Sequence, residues 1–164
     1  MSWACVHVVI DWAIKKLFAC VTSRACKTRD WLAPLSDAVN SQFPNGVRET
    51  MRRSVFLVSD HGAQPTSKTH MREAKRLGLT QVFTSYCNPT GNADTERVIR
   101  TIKEDLVWPG EWASPGELDD ALRLWRKSYN EDFPHSSPGL HTPPGRIREM
   151  VPGVGVLNKK RIQK

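Results

Sequence analysis

No stretch of this 164-residue sequence approaches the ~18 to 20 apolar residues that a membrane span needs. The most apolar run, Trp3 to Ile14, is interrupted by Asp11. No basic stretch precedes it and no small-residue cleavage site follows it, so it does not read as a secretory leader. The four cysteines (Cys5, Cys20, Cys26, Cys87) show no C-x-x-C spacing, and His7, His61, His70, His135 and His141 are too scattered to complete a local zinc knuckle. Such cysteines are expected as free thiols in a reducing cytoplasm. There is no internal repeat and no Gly-rich phosphate loop. Acid is short as well: 17 Asp and Glu face 24 Lys and Arg, a net charge of +7. A surplus of that size points to a polyanionic partner, nucleic acid before membrane. What is present is globular: 39% hydrophobic residues, with six Trp for a core, in a length that suits one domain.

Along the chain, residues 4–10 and 17–22 are β-branched runs joined by a short polar link, which predicts an antiparallel hairpin. Residues 28–42 read as a helix with Trp31, Leu32, Leu35, Ala38 and Val39 on one side and a kink at Pro34. Residues 54–59, nearly all apolar, read as a strand buried on both faces, ending at Asp60-His61-Gly62. A helix over 67–77 stops at Gly78, a strand covers 80–85, and helices follow over 94–107 and from Ser114 to about Tyr129. Ser114, Pro115 and Glu117 supply the start signals of the last helix. Trp108, Trp112 and Trp125 are read as packing residues. Residues 1–131 form the expected core, 132–150 an extended Pro/Gly/His arm, and 151–164 a basic tail expected to be disordered. The order of elements is that of an α/β fold with a mixed sheet.

Two acids stand out. Asp60 closes an interior strand, and ligand sites in α/β sheets form beyond strand ends. Glu96 lies in the first turn of a helix whose buried stripe reads as Val98, Ile102 and Leu106, with Ile99 beside it. Two converging carboxylates suit Mg²⁺ or Mn²⁺ and a phosphate ester. Glu96, Arg100 and Lys103 share an adjacent face, which fits either a metal backed by a phosphate backbone or a plain Glu96–Arg100 surface pair.

The segment Ser59-Asp60-His61-Gly62-Ala63-Gln64-Pro65-Thr66-Ser67 resembles the S-D-x-G-x-Q-x-T-S signature of insertion-sequence transposases related to retroviral integrases. Gly91-Asn92 through Glu96, Arg100-Thr101 and Lys103 resemble that family's G-N-x-x-x-E-x-x-x-R-T-x-K helix. Between Asp60 and Glu96 stand 35 residues, the interval in the name D-D-35-E. Tyr129-Asn130, Pro134-His135-Ser136, Gly139 and Thr142-Pro143 resemble the family's closing motif. The resemblance implies a ribonuclease-H-like fold and two-metal (Mg²⁺ or Mn²⁺) phosphodiester hydrolysis and strand transfer, with Asp60 and Glu96 as catalytic, metal-binding carboxylates. It implies DNA as partner, transposon ends and target alike, contacted through His61, Arg97, Arg100 and Lys103. It further implies a homo-oligomer or a complete transposase subunit as protein partner, no membrane, and a bacterial cytoplasmic location, on the nucleoid when DNA is bound.

The pattern departs from the family at its first strand. Trp3 to Lys15 resembles the second strand, so the central first strand, with its catalytic Asp, is expected to be missing from an N-terminally truncated chain. Asp11 then reads as a hairpin residue that binds turn amides. Two acids hold two ions poorly. The expectation is therefore a catalytic core inactive by itself; the alternative is a non-catalytic DNA-binding or assembly fragment that pairs with an intact transposase.

Overall fold

The computed structural model describes residues 4–50, 54–84 and 92–133, and the backbone of 155–162. The strand β1 (Ala4–Asp11) pairs antiparallel with β2 (Leu17–Ser23), from Cys5 opposite Ser23 to Ile10 opposite Leu17. Asp11 makes the turn between them. Its Oδ1 accepts hydrogen bonds from the amides of Ala13 (2.7 Å) and Ile14 (3.2 Å), the role expected for it. Helix α1 (Thr28–Gln42) follows. Pro34 does not interrupt it but is buried with Trp31, Leu35, Ala38 and Val39. After the short helix α2 (Val47–Thr50) come β3 (Val55–Ser59), α3 (Lys68–Arg76) and β4 (Leu79–Phe83), a strand-helix-strand unit in which β3 and β4 run parallel. Ser67 starts α3, its Oγ accepting from the His70 amide, and Gly78 ends it at φ +82°, a conformation that favours glycine.

Helix α4 (Ala93–Ile102) passes into one π-helical stretch, Lys103–Val107. Wider turns reset the phase. Val107, five residues after Ile102, is buried, whereas Leu106, which the simple helical stripe selects, is only half-buried. Trp108 is carried outward and is 60% exposed, contrary to its reading as a packing residue. Helix α5 (Pro115–Glu131) starts at Ser114, whose Oγ accepts from the Glu117 amide, while the Glu117 carboxylate accepts from Ala113.

Two apolar layers sandwich the sheet. On one side Val6, Val8 and Ile10 meet Val98, Ile99 and Ile102 of α4 and Leu118 and Leu122 of α5. On the other, Val9, Leu57 and Leu79 meet Trp31 and Leu35 of α1 and Ala74 of α3. The strand β3 is not buried on both faces, as its apolar sequence suggests: Phe56 is 41% exposed. The contacts of α4 and α5 fall on β1, β2 and the central strand, so the α4/α5 layer leaves β3 partly uncovered.

The tail expectation is corrected. Residues Gly155–Ile162 form a strand, β5, and the five strands lie in the order β2-β1-β5-β3-β4. The strand β5 is antiparallel to β1 along its whole length, from Asp11 opposite Gly155 to Ala4 opposite Ile162. It is parallel to β3 over Gly155–Leu157 only. The central position expected to be empty is thus filled from the far end of the sequence. Facing edges of β1 and β3 present unpaired backbone donors and acceptors, which any backbone can satisfy. The apolar residues Val156 and Leu157 stand where both neighbours pair; Asn158 to Arg161 pair with β1 alone. The expected arm lies mostly outside the described residues.

The cysteine expectation is corrected as well. Cys5 and Cys26 form a disulfide, with Cα atoms 5.7 Å apart. The β1–β2 register sets Cys5 opposite Ser23, and the chain turns back through Cys26 at φ +34° to meet it. Cys20 stays a buried free thiol. No helix among the described residues is long and apolar enough to cross a membrane.

Candidate metal and nucleic-acid face

Asp60 stands immediately beyond β3, half-buried. Its Oδ1 accepts a hydrogen bond from the Gly62 amide at 3.0 Å, closing a tight side-chain-to-backbone turn. A side chain at position 62 would place its Cβ 2.9 Å from that same oxygen, so glycine there keeps the carboxylate in place. The rest of the segment fastens the loop. Thr66 Oγ1 donates to the Gly62 carbonyl, Ser67 Oγ to Gln64 O, and the Gln64 amide to Cys26 O. The motif around Asp60 therefore builds a rigid shelf at the strand end more than it supplies reactive groups.

His61 is engaged in that shelf. Its Nε2 lies 2.7 Å from Thr84 O, and its ring stacks on Phe83 at 5.3 Å, tying the loop after β3 to the end of β4. Asp60 follows Val58, which packs toward the α4/α5 layer, so strand alternation sets the acid on the side of the sheet that carries α4.

Helix α4 is oriented by contacts that sequence reading missed. Trp12 Nε1 donates to Thr95 Oγ1 at 3.1 Å, and Lys15 Nζ pairs with Asp94 at 2.8 Å. Both anchors come from the hairpin turn and hold the first turn of α4 against it. The sequence signal was present in Lys15 and Asp94 as opposite charges, but nothing local joins positions so far apart. Thr95, Val98, Ile99 and Ile102 face inward, and Glu96, Arg97 and Arg100 are left exposed, with Lys103 half-buried. Among the described residues no ion pair joins Glu96 to Arg100, so the cations beside Glu96 are not neutralised by it.

Asp60 thus stands half-buried at a strand end, and Glu96 exposed in the first turn of α4. Among the described residues no group of three or more His, Cys, Asp or Glu side chains comes together to hold a metal. Asp11 Oδ1 is engaged by the two turn amides, and burial pushes its carboxyl above the usual range. This donor set does not fit a two-ion centre.

Comparison with known proteins follows the same lines. Residues 77–143 match the family model of the integrase core domain. Two insertion element IS136 uncharacterised proteins, from Agrobacterium fabrum (strain C58) and Agrobacterium tumefaciens (strain T37), are each 32% identical over 94 residues, 56% of this chain. The chain spans about half the length of these relatives, 47% of each. Among solved structures, the catalytic core domain of BIV integrase superposes with a TM-score of 0.61 at 20% identity, covering 87% of this chain and 84% of that one. A simian T-cell lymphotropic virus intasome in complex with a PP2A regulatory subunit, B56 gamma, gives 0.65 at 15% identity, covering 89% and 48%. These likenesses establish the ribonuclease-H-like fold.

Proposed function

We propose that this chain is an integrase-type transposase core with a role in DNA transposition, one that binds DNA but does not complete the metal centre by itself. What supports this reading is exposed Glu96 in the first turn of α4 with exposed Arg97 and Arg100 beside it, and no group of three or more metal-ligating side chains among the described residues; Asp60, at the end of β3, is the partner proposed for Glu96. Mg²⁺ commonly binds through one or two carboxylates plus substrate phosphates and water. Asp60 and Glu96 would serve one such ion, and a bound divalent ion supplies charge stabilisation at a phosphodiester. Arg97, Arg100 and Lys103 hold the backbone by charge, and His61, fixed on Phe83, shapes the edge of the same surface. DNA is the partner in this reading, and oligomerisation or pairing with a complete transposase restores the missing ligand.

The alternative, a purely non-catalytic binding or assembly protein, is favoured by one feature, the occupation of the central sheet position by β5. Mn²⁺ titration of the wild-type chain and of Glu96→Gln, with and without duplex DNA, separates the two. Binding of Mn²⁺ that strengthens with DNA and is lost in Glu96→Gln supports the half-site. Salt-sensitive DNA binding that ignores both Mn²⁺ and Glu96→Gln supports the alternative.

A further inference from the structure

A groove of about 430 Å³ opens at the outer edge of the sheet, away from Asp60 and Glu96. Its walls come from the start of β2, the end of α1 and the last turns of α5. Lys16, Arg123, Arg126, Lys127, Asn130 and Glu131 line it: four cations, one amide and a single acid. The floor is rigid, because Asn130 clamps the edge strand. Its Oδ1 accepts from Leu17 N at 2.8 Å and its amide donates to Leu17 O at 3.0 Å. Arg126 Nη1 donates to Phe18 O at 2.6 Å, which fixes one corner of a five-donor guanidinium and leaves the others. Lys16 Nζ lies 5.4 Å from the centre of the Phe18 ring and so is propped over it. Among the described residues only Arg123 of the four cations has a carboxylate within ion-pair distance, Asp119 at 3.1 Å.

Cations drawn together this closely repel one another unless an anion joins them. Helix spacing aligns Arg123, Arg126, Lys127 and Asn130 on one side of α5, and the tertiary fold adds Lys16 from 107 or more positions earlier in the chain. We propose that this groove binds the phosphodiester backbone of DNA, as a second contact separate from the Asp60–Glu96 side. The proposal rests on the reading of the chain as a DNA-binding core. With strands about 4.8 Å apart, β2 lies three spacings from β3, roughly 14 Å, so one duplex can reach both places.

The test is duplex DNA binding by fluorescence anisotropy across a salt series, using the full chain. Lys16→Gln/Lys127→Gln is compared with wild type, with Arg100→Gln, and with Arg48→Gln/Arg72→Gln, a charge-matched pair on the α2 and α3 side. Thermal melts verify that each variant folds. Loss of two phosphate contacts lowers the slope of log affinity against log salt by about 1.8 in the groove variant, and leaves it unchanged in the matched pair. Inorganic tripolyphosphate at equal phosphate concentration competes weakly if the groove reads a polymer backbone. A slope equal to wild type in the groove variant, an equal drop in the matched pair, or full competition by tripolyphosphate overturns the proposal. If Arg100→Gln weakens binding while the groove variant does not, only the groove fails. If wild type itself does not bind the duplex, the DNA reading fails and the groove with it.

Discussion

Asp11 shows how one residue type carries different roles by position. Asp60 closes a strand at the surface and turns its oxygen to one amide; Asp11 sits 9% exposed in the hairpin and serves two. Burial raises the Asp11 pKa, and the amides of Ile14 and Ala13 and the charges of Lys15 and Lys16 only partly oppose this. A raised folded pKa means the neutral form is favoured by folding. The stabilisation is present below the ordinary Asp value of 3.8 and is lost as pH rises through the folded pKa. Asp11→Asn keeps an acceptor for both turn amides without the buried charge. We expect its stability in urea to match or exceed wild type at pH 7, with the advantage shrinking as pH falls toward 3. Asp11→Ala leaves both amides without that acceptor and should cost about 1–3 kcal/mol near pH 3, and less at pH 7, where it also removes the buried charge. Mn²⁺ affinity should be unchanged in Asp11→Asn; a tenfold loss would make Asp11 a metal ligand and refute its assignment to the turn.

At the scale of elements, the hairpin is tied twice. The ladder joins β1 to β2, and the disulfide Cys5–Cys26 closes a loop across a sequence separation of 21. By loop-closure entropy such a cross-link is worth about 3 kcal/mol. Reduction, or Cys26→Ser, should lower the urea midpoint and raise the slope, because the unfolded chain is no longer held compact; no shift on adding reductant would mean the pair does not stabilise the fold. Most elements were legible in the sequence because their signals are local. The helix over 28–42 follows from its apolar spacing, the end of α3 from Gly78, and the start of α5 from Ser114 and Glu117. Where the reading failed, the cause was not local. The π turn after Ile102 moves Val107 rather than Leu106 into the core because the packing of α4 and α5 on the sheet selects it.

For the whole molecule, β5 is the element that joins the two halves of the sheet, β2-β1 and β3-β4. Leu157 pairs with Val9 on one side and Ser59 on the other. Leu157→Pro removes one backbone donor and bends the strand, at a cost of about 3 kcal/mol. Hydrogen exchange should then show lost protection in β1 and β3 together, with α1 and α5 affected less. Protection lost in β5 alone would mean that the halves are held together by the helices.

The chain's own order of residues determined the alternation of strands and helices, the acid at the end of an apolar strand, the acid in the first turn of a helix, and the interval of 35 residues between them. These depend on neighbours a few positions apart and on intervals counted directly along the chain. Only the tertiary structure decided that Gly155–Ile162 sits at the centre of the sheet, that Cys5 meets Cys26, and that Lys16 joins the cations of α5 in one groove. Backbone hydrogen bonding takes no account of side chains, and charges far apart in sequence acquire a distance only once the sheet has brought them together.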